Sequence, residues 1–286
     1  MDEFTAILRA RELVGRVNPA KIPVPLESYL AEVGCVLRVD SDLSADEPGF
    51  SVTIGGKEHI VVNSRDSVER QRFTICHELG HVVLKLPSQH GGVPLWSYSK
   101  RPLNEIFCDV FAAELLLPYR LFKPLADDAL IGFAALDDLA ESFSASVMAT
   151  GSRFAAAVDV PCAFVISQER IVRYASRSKS LRESEAWIAP GSGLPPGSVS
   201  AKANSAAGIE SGEIQADQWF TDWRRGGMLL EEARYLPRWK QTLTLLWFDD
   251  DEVPLLDGEH QDSEEEQELK ELDGTLPWPG RKKRRP

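Results

Sequence analysis

Residues 70–84 read Arg70-Gln71-Arg72-Phe73-Thr74-Ile75-Cys76-His77-Glu78-Leu79-Gly80-His81-Val82-Val83-Leu84. The core of this stretch is His-Glu-x-x-His. On a helix, positions four apart lie on one face, so the two imidazoles of His77 and His81 can converge on one ion. Neutral imidazole nitrogen suits zinc, with bonds of about 2.0–2.1 Å. Glu78 follows the first imidazole and can lean toward a water on such an ion, as a general base does. The apolar flanks, Phe73 to Cys76 and Val82 to Leu84, place the motif on a helix within a folded core.

A third ligand must come from elsewhere in the chain. The apolar segment 103–117 reads as a helix that stops at Pro118, and it carries two acids one turn apart, Glu105 and Asp109. Like charges at that spacing repel, and they are costly to bury beside Ile106, Phe107, Val110 and Phe111. A cation and a ligating histidine resolve both problems. Glu105 can complete the coordination, and Asp109 can accept the other ring N–H of a ligand histidine and fix its tautomer. The rival for this pair is a solvated helix face. Zinc is the default ion for two histidines and a carboxylate, with manganese or iron as alternatives.

Composition bounds the rest. The chain has 286 residues, 43% of them hydrophobic and 27% charged, ordinary values for a globular protein of one elaborated or two compact domains. The longest apolar run, Leu243 to Phe248 with Thr244 tolerated, is far short of the ~20 residues a membrane helix needs. The start, Met1-Asp2-Glu3-Phe4, is acidic where a secretory signal is basic, and the cysteines at 35, 76, 108 and 162 show no paired spacing. Both features predict reduced thiols in a cytoplasm. The net charge is −12. Residues 249–273 hold thirteen acids against one base, and 281–285 are Arg-Lys-Lys-Arg-Arg. Such a balance disfavours DNA binding, which needs clustered cations.

Read along the chain, the pattern predicts helices over 1–16 and 26–33, then strands over 35–39, 50–54 and 59–63 with a Gly55-Gly56 turn. A longer helix follows over 67–86, a loop over 87–102, the helix 103–117, and two short helices over 136–143 and 147–158. After Pro161 the texture changes. A hairpin is expected from 162–167 and 171–175, a loop over 189–213, and strands over 218–223 and 242–248. The predicted organisation is α+β: a zincin-like metallopeptidase domain over 1–125, with a small sheet; a helix-turn-helix-like region over 126–160; a smaller α+β module over 161–250; and an acidic then basic tail over 251–286 with the composition of disorder.

The stretch 70–81, and Glu105-Ile106-Phe107-Cys108-Asp109-Val110-Phe111-Ala112-Ala113-Glu114-Leu115-Leu116-Leu117-Pro118, resemble the ImmA/IrrE family of bacterial metallopeptidases. The strand Ile60-Val61-Val62-Asn63 and the segment Leu139 to Ser146 fit the same layout, and the resemblance spans about residues 20–165. It implies a cytoplasmic zinc peptidase that cuts helix-turn-helix repressors in stress response or mobile-element control. Carried onto this chain, His77, His81 and Glu105 match the metal ligands and Glu78 the general base. Asp109 stands where many relatives carry Asn. In some members a GAF-like domain occupies the place of the module at 161–250, which would make that module a receiver of a small-molecule signal. A developing oxyanion needs a further donor, and Tyr98, His90 and Tyr119 are the candidates near the metal helices in sequence.

The remaining features have ordinary explanations. Cys76 and Cys108 read as small buried hydrophobes, though Cys108 is one turn from Glu105. The second helix of the pair at 136–158 offers Arg153 as its only base, which suits packing or repressor docking better than a DNA groove. Trp219, Phe220, Trp223, Trp239, Trp247 and Phe248 can form the core of a small domain or line a ligand pocket. The rival function, a sensor or interaction protein with a structural metal site, would not need Glu78.

Overall fold

The computed structural model describes residues 1–87, 102–203 and 208–249. The loop expected over 87–102 therefore falls almost wholly outside the described residues, as do His90, Tyr98 and the tail 251–286.

The first half is built from helices around a three-stranded sheet. Helix α1, Glu3–Val17, starts where the Asp2 carboxylate accepts the Thr5 N–H at 2.8 Å, and buries a stripe of Ala6, Ala10 and Leu13. Helix α2, Leu26–Val33, ends at Gly34 in the left-handed region (φ 80°). Strands β1 (Val36–Asp40), β2 (Gly49–Ile54) and β3 (Lys57–Asn63) form a sheet in the order β1-β3-β2, with β3 parallel to β1 and antiparallel to β2. Gly55 and Gly56, both at positive φ, close the two-residue β2–β3 turn as the sequence predicts. Ile60 and Val62 point from β3 into the core.

Helix α3, Val68–Leu84, carries the His-Glu-x-x-His motif. Its Ser67 cap accepts the Arg70 N–H, and every residue from Thr74 to His81 is buried. Helix α4, Leu103–Leu116, packs against it. The two meet at Gly80, where a side-chain carbon would stand 3.2 Å from Cα and Cβ of Cys108. The missing side chain thus sets how closely the helices approach. Helices α5 (Tyr119–Asp127), α6 (Phe133–Phe143) and α7 (Val147–Ala157) follow. The α6–α7 turn uses Ser144 in the left-handed region and Ser146 as a cap for α7. Arg153 of α7 turns inward: its Nε donates to the Leu117 carbonyl at 2.9 Å, and its guanidinium pairs with buried Glu114 at 2.9 Å. It is packing apparatus.

The second sheet is wholly antiparallel, in the order β5-β4-β8-β7-β6. Its strands are β4 (Cys162–Gln168), β5 (Ile171–Arg177), β6 (Ile209–Gln215), β7 (Met228–Leu236) and β8 (Gln241–Phe248). One face sends Phe164, Ile166, Leu243 and Leu245 into the same apolar cluster as Phe133, Phe143 and Phe154 of the helices. The other face, with Val165, Leu229, Leu246 and Phe248, packs on Ile188, Trp219, Phe220 and Trp223. Three short helices, α8 (Lys179–Glu183), α9 (Val199–Lys202) and α10 (Ala216–Trp219), lie in the connections.

The structure corrects two sequence expectations and adds two elements. The segment 189–213 is not all loop, because it contains α9 and the start of β6. Residues 218–223 are not a strand: α10 ends at Trp219, and Trp219, Phe220 and Trp223 are buried anchors whose aromatic density mimics a β pattern. The true edge strand, β6, is mostly polar and so sends little periodic signal. Strand β7 and helix α5 add elements the sequence reading left out. In β7, Met-Leu-Leu-Glu-Glu-Ala-Arg favours helix by propensity, and burial of alternate residues decides for strand.

Candidate metal centre

Four of the polar side chains expected at the site meet between α3 and α4, and all are buried. Nε2 of His77 and Nε2 of His81 lie 3.1 Å apart. The Glu105 carboxylate reaches Nε2 of His77 at 3.2 Å and Nε2 of His81 at 3.5 Å. A tetrahedral ion with bonds of about 2.0–2.1 Å holds its ligand atoms about 3.3 Å apart. The three observed separations bracket that edge length.

The outer nitrogens fix the tautomers. Nδ1 of His77 lies 2.9 Å from an oxygen of Asp109, and Nδ1 of His81 lies 3.3 Å from the Leu86 carbonyl. Both partners are acceptors, so each Nδ1 must carry the proton. Once the Nε2 proton is displaced, both rings aim Nε2 lone pairs at the same small space. Two nitrogens 3.1 Å apart need a positive centre between them, a ring proton or a metal ion. Burial disfavours charge on His77. The carboxylates of Asp109 and Glu105, with Glu78 nearby, outweigh burial and raise its pKa to about 9. Three buried acids beside two imidazoles form a site built around positive charge. The residues present therefore fit a divalent ion.

Glu78 is 1% exposed. His77, Glu78 and His81 each offer an atom within 4.8 Å of the others, which places Glu78 beside the ligand set, where Glu105 stands nearer to the imidazole nitrogens. The carboxylate of Glu78 accepts a hydrogen bond from Ser51 of β2 at 2.8 Å. Ser51 carried no motif and was invisible in the sequence, since only the fold brings residue 51 to residue 78.

Of the remaining candidates, Tyr98 and His90 lie outside the described residues. Tyr119 is seated elsewhere. Its ring lies between the guanidiniums of Arg11 and Arg153, at 5.5 and 5.6 Å, and its N–H reaches Glu114 at 3.3 Å. Glu114 is nine residues along α4 from Glu105, about 13 Å of helix. All four cysteines are free thiols, and Cys76 and Cys108 are buried in the core. A surface groove of about 530 Å³ is lined by Leu130, Ile131, Phe154, Val158 and Trp247 among others, and by none of the site residues.

Residues 31–155 match the family model Peptidase_M78, the IrrE N-terminal-like domain. The matched span runs from α2 into α7 and includes both helices of the site. No curated protein matches the chain. Among solved structures, a "Mycobacterium tuberculosis transcriptional regulator" is similar in fold, with a TM-score of 0.56 at 16% sequence identity over 86% of this chain and 88% of that one. Among the described residues, no helix is long and apolar enough to cross a membrane.

Proposed function

Because residues 31–155 match the IrrE N-terminal-like domain model of Peptidase_M78, we propose that this chain is a zinc-dependent endopeptidase acting on a protein substrate. The observation that carries the proposal is the convergence of His77, His81 and Glu105 at tetrahedral edge spacing, with the buried Glu78 carboxylate beside them. His77, His81 and Glu105 would hold the ion, and Asp109 orients His77. A bound divalent ion supplies Lewis-acid polarisation of a peptide carbonyl and makes water more acidic. Glu78 takes the proton from the attacking water at its carboxylate and returns it to the leaving amine. A purely structural metal site would have no use for a second buried acid in that position, which favours the hydrolase over a sensor with a structural ion.

An extended peptide has a place to lie. Among the described residues strand β2 is an edge of its sheet, and an edge offers unpaired backbone groups that can take a peptide as an added strand. The substrate class, a helix-turn-helix repressor, and a role in cytoplasmic transcription control come from the family resemblance and agree with a fold neighbour titled a transcriptional regulator. The module at 161–250 would receive the activating signal.

The test is co-expression with helix-turn-helix repressors encoded nearby, followed by mass mapping of any cut and metal analysis of the purified protein. The wild type should carry a divalent ion and cut one target. The Glu78→Gln variant should keep the ion and leave the target whole. Cleavage surviving in that variant would remove Glu78 from its role, and a purified wild type without affinity for zinc or manganese would sink the whole reading.

A further inference from the structure

Strand β2 lies across helix α3 in matched steps. At one point of contact is Gly49, where a side-chain carbon would stand 2.4 Å from the Val61 carbonyl and 2.7 Å from Cγ2 of Thr74. Only a residue without a side chain allows β2 this close to the helix. Two residues further along the strand is Ser51, on the same face, displaced by about 6.7 Å. Four residues further along the helix from Thr74 is Glu78, on the same face, displaced by about 6.0 Å. At this second point of contact the Ser51 hydroxyl meets the Glu78 carboxylate at 2.8 Å.

We infer that Ser51 is a positioning residue for the peptidase chemistry: it holds the Glu78 carboxylate in its working direction from the edge strand. The inference rests on the proposed hydrolase activity. Ser51 does not touch the ion's ligands in this arrangement and acts through Glu78. Its hydroxyl donates and the carboxylate accepts, a charge-assisted bond of the stronger kind. Without that donor, Glu78 keeps its place on α3 and loses one contact that restrains its terminal torsion, which is intrinsically broad for a glutamate. Gly49 makes the arrangement possible by letting the strand settle onto Thr74. The same strand is the free edge proposed for the peptide. The element that receives substrate would therefore also orient the base.

The experiment compares wild type, Ser51→Ala, Ser51→Thr and Glu78→Gln on a peptide spanning the cut site mapped in co-expression. Metal content and unfolding temperature are measured alongside. Ser51→Ala should keep its metal and its KM while kcat falls about tenfold, the scale of one hydrogen bond to a charged group. Ser51→Thr, which keeps the hydroxyl, should recover to within about twofold. In chelated protein, Ser51→Ala should lower the unfolding temperature by about 3 °C, and the same change made in a Glu78→Ala background should lower it by less than about 1 °C. Unchanged kcat in Ser51→Ala, beside an inactive Glu78→Gln, overturns the role of Ser51 and leaves the peptidase standing. An equal temperature shift in both backgrounds also overturns it. A Glu78→Gln variant that still cuts overturns the base assignment, and the Ser51 inference with it.

Discussion

Replacing Asp109 tests whether the site is organised from its outer side. The Asp109 oxygen lies 2.9 Å from Nδ1 of His77, and both side chains are less than a tenth exposed. A hydrogen bond to a charged group in such surroundings contributes about 1.5–3 kcal/mol. Part of that contribution reaches the ion, because the bond holds the His77 ring with Nε2 aimed at Glu105 and His81. Partners of metal-bound histidines typically change affinity 10–100-fold when removed, which corresponds to about 1.4–2.7 kcal/mol. The two ranges overlap. Asp109→Ala should therefore weaken zinc binding 10–100-fold, read by competition with a chromophoric chelator. Asp109→Asn should lose much less, within about tenfold, because its amide oxygen can still accept the Nδ1 proton while the charge is gone. The order wild type, Asn, Ala is the signature. An alanine variant within twofold of wild type would show that the His77 ring is held by other contacts, and an asparagine variant weaker than alanine would refute the tautomer argument.

Two further predictions concern stability. Gly151 of α7 faces the Phe164 ring of β4, where a side-chain carbon would stand 2.3 Å from it; Gly151→Ala should cost about 1–3 kcal/mol, and denaturant unfolding showing no loss would mean that the ring moves freely. Burial pushes the Cys162 thiol up to about 12 from its ordinary 9.0, so the folded chain keeps a proton there that the unfolded chain gives up. Stability should accordingly fall as pH rises from 9 toward 12, and Cys162→Ala should flatten that slope; an unaltered slope in the variant refutes the assignment.

Much of the first half was legible from local pattern. Helices α2, α3 and α4 fall within a few residues of their expected bounds, because their caps and breakers, Gly34, Ser67 and Pro118, are short-range signals. The convergence of His77, His81 and Glu105 was legible for a different reason. Helical spacing alone puts His77 and His81 on one face, and a pair of buried acids on an apolar helix calls for a cation. What was not legible depends on long-range contact. Ser51 reaches Glu78 across 27 positions of sequence, and no local rule joins them. Strand β7 was missed because one of its inward positions is Glu231, which accepts the backbone N–H groups of Val199 and Ser200 at 3.2 and 3.0 Å. A buried carboxylate breaks the apolar alternation by which strands are read. The aromatics at 219–223 misled in the opposite direction: their weight comes from filling the space beneath the second sheet, whatever the backbone does there.

The shared cluster of Phe133, Phe143, Phe154, Phe164 and Leu245 has a consequence for anyone who cuts this gene. The family match stops at residue 155, yet the chain has no seam there. Arg234 of β7 grips Asp137 of α6 through two bonds at 2.7 and 2.6 Å, and Glu232 holds the first amide of the same helix. A fragment trimmed to the matched span would carry a raw, greasy wall where the second sheet used to be. Any strain applied to that sheet would pass straight into α6 and the core it shares with α3 and α4.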